Sequence, residues 1–223
     1  MTTKKKNNME LETVRLFAAD AESNKLITRL HDDIIFCRGE CLLMNVILVS
    51  SREGLELIDD IILRNEPAHR NIVFCSNREL EIKSSEHYQS ILYPSDIDGK
   101  DAFQAVKDFL YVFRYNIEIH GMIGFDFNDF MSIISGRNLL SIQIVEFANN
   151  FTEGICQFNK TSHISFESFL LSFYFKSYDD FTMNQRELSD FMDLYQTSDD
   201  TIIIWNLHED KNQRIMLMAT KPI

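Results

Sequence analysis

Glycine is scarce in this 223-residue chain: only seven occur, at positions 39, 54, 99, 121, 124, 136 and 154, and no two are adjacent or one residue apart. A loop that cradles phosphate needs clustered glycines, because the backbone must come close to the anion and present successive N–H groups to it. Neither GxGxxG nor a GxxxxGKS/T pattern occurs, so the chain has no recognisable means of holding a nucleoside triphosphate. Cations are also in deficit. With 22 Lys and Arg against 34 Asp and Glu, the net charge of −12 argues against sequence-independent nucleic-acid binding, which relies on clustered positive charge. Protein partners or self-association fit better. No apolar run approaches the ~20 residues of a membrane span. The opening MTTKKKNNMELE has lysines with no apolar stretch behind them, so 1–12 reads as a disordered tail and not a secretory signal. A cytoplasmic protein is expected. Cys37, Cys41, Cys75 and Cys156 lack the paired spacing of a metal finger, and the six histidines form no HxxxH or HExxH pattern, so neither a metal nor a cofactor is expected.

Hydrophobic residues make up 45% and charged residues 25%, enough apolar material for a core that needs no disulfide. TVRLFAAD (13–20) alternates and is rich in β-formers, which predicts a strand running into the polar turn AESN. CLLMNVILVSS (41–51) is a continuous apolar run suited to a strand buried on both faces. GLELIDDIILRN then places Leu55, Ile58, Ile61 and Ile62 at helical spacing, and NIVFCSN (71–77) reads as a second buried strand. Strand, helix, strand in this order implies a parallel sheet.

The strongest helix runs from Asp101 to about His120. Asp101 and Gln104 resemble a capping box, Phe103, Val106, Phe109 or Leu110, Phe113 and Ile117 form one stripe, and Gly121 suits the C-terminal cap. A short helix, Phe127 to Ser135, follows. Beyond it, 139–147, 166–175, 201–207 and 214–220 are strand-like. A helix opened by Thr182 and Gln185 separates the second of these from the third and buries Leu188, Phe191, Met192 and Tyr195. The last two strands, joined by the polar loop HEDKNQ, are expected to pair antiparallel, and the β-α-β unit before them to be parallel. Trp205 is expected in the core. The fold class is therefore α/β: a Rossmann-like parallel sheet in 13–100, a long central helix in 101–121, and an α+β domain with a mixed sheet in 122–223.

The segment DAFQAVKDFLYVFRYNIEIH followed by GMIGFDFNDF resembles the central helix and following loop of FtsZ, the bacterial and archaeal relative of tubulin, whose loop reads GLINVDFADV. NIVFCSNRELE is similar to the family's LIVIPNDRLLE, VRLFAADAESNKL looks like its FIAVNTDAQAL, and the closing MATKPI matches its VIATGI finish. In that family GTP sits in one subunit, and two acids from the next subunit's loop complete the hydrolytic site. Asp126 and Asp129 match those acids, which implies an interface at Gly121, Gly124, Phe125, Asp126 and Asp129 and, if a partner's nucleotide is engaged, catalysis in trans. Carboxylates beside a γ-phosphate can position and polarise the attacking water. Read from the residues alone, an acid at a helix N-cap with a second in the first turn is a capping arrangement. The two roles are compatible.

Departures from the family bear on function. Its first phosphate loop would fall before the earliest strand, where there is only the tail, and its GGGTGTG loop would follow 46–49, where the chain has SSREGLEL. Phe103 matches the aromatic that stacks on guanine, but the base-reading position is Lys107, a donor in place of an acceptor. Both positions are degenerate, and Phe103 is expected to serve core packing. The implied protein lacks GTP binding and acts by association, capping or modulating FtsZ-type filaments or self-assembling. The alternatives are a divergent GTPase with an unrecognised phosphate loop and a stand-alone scaffold.

Overall fold

The computed structural model describes residues 11–33, 38–39, 41–65, 67–83, 85–93, 99–117, 119, 121–122, 125–148, 150–158, 166–196 and 198–223. Ten strands and eight helices alternate along them. In chain order they are β1 (Leu11–Glu12), β2 (Val14–Ala18), α1 (Ala21–Asp33), β3 (Arg38–Gly39), β4 (Met44–Val49), α2 (Arg52–Glu56), α3 (Ile58–Arg64), β5 (Arg70–Cys75) and β6 (Gln89–Leu92). There follow α4 (Ala102–Ile117), α5 (Phe127–Ile133), β7 (Arg137–Glu146), α6 (Phe151–Gln157), β8 (Ser168–Phe175), α7 (Tyr178–Met183), α8 (Gln185–Asp193), β9 (Ile202–Glu209) and β10 (Arg214–Pro222).

Eight strands form one sheet in the order β2-β4-β5-β6-β7-β10-β8-β9. From β2 to β7 every pairing is parallel; β10 is antiparallel to both neighbours, and β8 pairs β9 in parallel. The fold is mixed α/β, with the mostly parallel sheet expected from the β-α-β pattern. Continuous apolar runs are covered on both faces, as in β4, whose six residues are all buried. One face of the sheet carries α1, α4 and α5 over Val46, Ile72, Ile91, Leu140, Leu170 and Met216. On the opposite face, Ile47, Val49 and Val73 meet Ile58 of α3. Farther along that face a phenylalanine-rich layer packs Phe169, Phe173 and Phe175 against Phe151 of α6, Phe181 of α7 and Phe191 of α8.

Several local expectations are corrected. β9 and β10 do not pair: β10 is inserted between β7 and β8, and β9 is left at the sheet edge. Burial explains the choice, since the first seven residues of β10 are all buried whereas β9 is exposed or half-buried from Ile202 to Trp205. An interior slot suits the first and an edge the second. The polar connection only has to step across one strand, about 10 Å. The AESN turn is instead the first turn of α1, capped by Asp20. α4 is 16 residues long, about 24 Å. At its start Asp101 Oδ1 accepts the Gln104 N–H at 2.8 Å, but the Gln104 amide turns to Asp108, so only half of the capping box forms. The helix proposed to open at Thr182 is two: α7 is capped by Ser177, and the Thr182 hydroxyl donates to the Tyr178 carbonyl, not to a cap. Gly121 is not a left-handed C-cap, since the glycines with positive φ among the described residues are Gly99 and Gly136. Its lack of a side chain serves a close approach: a Cβ there would lie 2.5 Å from Asn206 Oδ1 and 2.9 Å from the Leu207 carbonyl oxygen. Trp205 is half-buried on the phenylalanine layer.

Candidate functional site

The carboxyl ends of β2, β4 and β5 meet at one point, which in an open α/β sheet is where a ligand crevice forms. Asp20 closes it. Having left β2, its carboxylate caps α1 by accepting the Ser23 N–H on Oδ1 at 2.9 Å. The same group accepts the N–H groups of Ser50 and Ser51 on Oδ2 at 2.7 and 3.0 Å, and the Ser50 hydroxyl on Oδ1 at 2.7 Å. These donors open the turn between β4 and α2. Ser51 in turn caps α2 by accepting the Gly54 N–H at 3.0 Å, and the Asn77 amide ties β5 to the Ser50 carbonyl at 3.1 Å. Burial alone would raise the Asp20 pKa, but the donors of Ser23 and Ser50 together outweigh it and hold the group down at about 2. Gly54 is required here, because a Cβ would sit 2.7 Å from Asp20 Oδ2 and 2.8 Å from Val49 Cγ2.

Beside this knot lies a cavity of about 430 Å³ between α1, the ends of β4 and β5, and the start of α4. Phe74, Phe103 and Val106 give it an apolar wall. The Arg29 guanidinium lies 4.1 Å from the centroid of the Phe103 ring, and Lys107 Nζ is 5.7 Å from it. Phe103 is thus half-buried at the cavity wall with a guanidinium on its face, as well as packing against the core. Neither Asp20 nor Arg29 stands out in the sequence. The available signal was an Asp closing a predicted strand, followed two turns later by a cation, with a second strand ending in the pair Ser50–Ser51.

Asp126 and Asp129 lie at the N-terminus of α5. Asp126 Oδ1 accepts the N–H groups of Asn128 and Asp129 at 2.7 and 3.0 Å, and Asp129 Oδ2 accepts the Asp126 N–H at 3.0 Å, a complete capping box. Each carboxylate keeps its second oxygen outside these bonds. Asp126 is exposed and Asp129 half-buried, while Phe125 packs against the core under α4. Gly121 rests against β9 of its own chain, where the Met122 N–H donates to the Leu207 carbonyl at 2.6 Å. Gly124 lies outside the described residues.

The far end of α4 is tied to the sheet by stacked planar groups. Arg214, fully buried, packs in the corner made by the nearly perpendicular rings of Tyr115 and Tyr174, 4.2 and 4.4 Å from their centroids, pairs with Asp210, and donates to the Tyr111 hydroxyl at 2.8 Å. His208 stacks on Tyr174 at 4.4 Å, and neither of its ring nitrogens has a hydrogen-bond partner among the described residues. It is a core histidine, though not a satisfied one. Burial, reinforced by the Arg214 charge, pushes its pKa down to about 4. No group of three or more His, Cys, Asp or Glu among the described residues is placed to hold a metal ion, and no helix among them is long and apolar enough to cross a membrane.

No family model and no curated protein matches the sequence. The structure, in contrast, has clear likenesses to solved structures of FtsZ and TubZ. An empty FtsZ dimer from M. jannaschii superposes with a TM-score of 0.54 at 11% identity, over 94% of this chain and 88% of that one. A GTPγS-form protofilament of TubZ from Bacillus thuringiensis serovar israelensis gives 0.54 at 13% identity, covering 89% of this chain and 66% of the other. The TubZ of a type III plasmid segregation system gives 0.53 at 12%, over 90% and 72%. The chain has the FtsZ/tubulin-like fold.

Proposed function

We propose that this protein acts by association, as a tubulin-like subunit that binds no GTP of its own and either caps or modulates FtsZ-type filaments or assembles with itself. The observation that carries this reading is Asp20. A phosphate at the ends of β2 and β4 would need backbone donors, and those of Ser23, Ser50 and Ser51 already serve an internal carboxylate whose negative charge repels another anion. On this reading 13–100 is a reduced counterpart of the nucleotide domain, 101–121 the connecting helix, and 122–223 the partner-facing domain. The interface is the α5 loop, with Gly121, Gly124, Phe125, Asp126 and Asp129. The free carboxylate oxygens of Asp126 and Asp129 can face a neighbour's nucleotide and, in trans, orient a water toward it.

A subunit with the acid-bearing loop and no nucleotide docks onto a GTP-bearing neighbour but offers no GTP to the next. Substoichiometric protein therefore shortens filaments of an FtsZ from the same organism, and Asp126→Ala with Asp129→Ala abolishes the effect without unfolding the chain. Unchanged filament length and GTP turnover would sink the capping reading. Sedimentation of the protein alone tests self-assembly. The fit to a TubZ protofilament subunit supports both forms of association.

The 430 Å³ cavity walled by Phe103 favours a second reading, a divergent GTPase. Isothermal titration separates the two: GTP or GDP bound more tightly than ~10 μM establishes the GTPase reading and removes the first.

A further inference from the structure

On the sheet face opposite α4 and α5, a groove of about 580 Å³ runs between α2–α3 and the extended segment 79–83. Its floor is apolar: Ile58, Leu80 and Ile82 are buried, and Leu55 and Tyr88 are half-buried beside them. The walls are acidic. Glu56 and Asp59 line it from the helices, Glu79 and Glu81 from the segment, and the cations there are Arg52 and Lys83. None of the four carboxylates forms an ion pair among the described residues. The Asp59 charge reaches the Tyr88 phenol at the floor, which burial and that carboxylate together push above its ordinary pKa.

An apolar floor between unpaired acids is complementary to a segment with apolar residues on one face and Lys or Arg at its margins. We propose that this groove docks a cationic amphipathic segment of a protein partner, its apolar side chains on Leu55, Ile82 and Tyr88 and its cations against Glu56, Asp59, Glu79 and Glu81. The α5 loop is not involved, so partner recruitment and filament contact use opposite faces. The inference stands whether or not the crevice at Asp20 excludes nucleotide.

The test is titration of the full chain with a Leu/Lys amphipathic peptide of about 18 residues, five helical turns, and with its Leu/Glu counterpart, followed by amide chemical shifts. The expected result is micromolar binding of the Leu/Lys peptide alone. Shifts concentrate at 52–59, 79–83 and Tyr88, and affinity falls with salt. Glu79→Lys with Glu81→Lys, both exposed and therefore harmless to folding, weakens binding about tenfold, while Glu187→Lys with Asp190→Lys on α8 leaves it unchanged. The proposal is overturned by absence of binding, by shifts spread over the surface, or by equal weakening in the α8 variant, which would reveal attraction to net charge alone.

Discussion

Asp20 and the pair Asp126/Asp129 do the same elementary chemistry, a carboxylate accepting backbone N–H groups at the start of a helix, yet they reach opposite outcomes. The carboxylates of Asp126 and Asp129 bond only within residues 126–129, so their box is a local device with carboxylate oxygens left over at the surface. Asp20 draws donors from Ser23 and from Ser50 and Ser51, thirty residues away in the turn that follows β4, and ends surrounded. The first arrangement leaves an acid free to meet a partner. The second spends the acid on holding strand ends together, and its donors are no longer available to another acceptor.

The sharpest way to break this contrast is Asp20→Ala. Removing a charged acceptor of four hydrogen bonds should lower the unfolding free energy by about 3 kcal/mol, read from the urea midpoint. Because the same change frees the donors, added phosphate should then stabilise the variant and not the native chain. Gly54→Ala attacks the knot from outside by forcing a Cβ onto Asp20 Oδ2 and Val49, and should cost about 2 kcal/mol. Titration tests the charge by itself. The folded pKa of Asp20, about 2, lies below the ordinary 3.8, so its contribution is fully present above pH 3.8 and is lost as pH falls through 2. After discounting for solvent screening at a half-open site, the loss is about 1 to 2 kcal/mol, and it should be missing from Asp20→Ala. Asp126→Ala should be milder, about 1 kcal/mol for a lost N-cap, and Asp126→Asn close to neutral in stability. If Asp126→Ala proves as costly as Asp20→Ala, the local-versus-tertiary distinction fails.

Legibility in the sequence follows the same division. β4, β5, α4 and α5 announce themselves because a buried strand or helix face writes its period into neighbouring residues. The cap at Asp126 with a second acid, Asp129, in the first turn is readable because both lie within one helical turn; that the two form a reciprocal box is a finding of the structure. β6 is not readable, since QSIL is four residues long and is a strand only because β5 and β7 flank it, with the Ser90 N–H donating to the Gly136 carbonyl at 2.8 Å. α6 was hidden by Gly154, which looks like a breaker; a Cβ there would lie 2.6 Å from the Phe147 ring, so packing demands it. The absence of clustered glycines is visible in the sequence, but the Asp20 knot at the ends of β2, β4 and β5 is not.

The sequence by itself determined β4, β5, α4 and α5, the resemblance to the FtsZ/tubulin-like fold and the local cap at α5, because each depends on residues a turn or a strand apart. Only the tertiary structure decided that β10 lies between β7 and β8, that Gly121 is needed against β9, and that Asp20 occupies the donors of a distant turn. Those facts depend on which distant segments come into contact, and packing sets that where no local period records it.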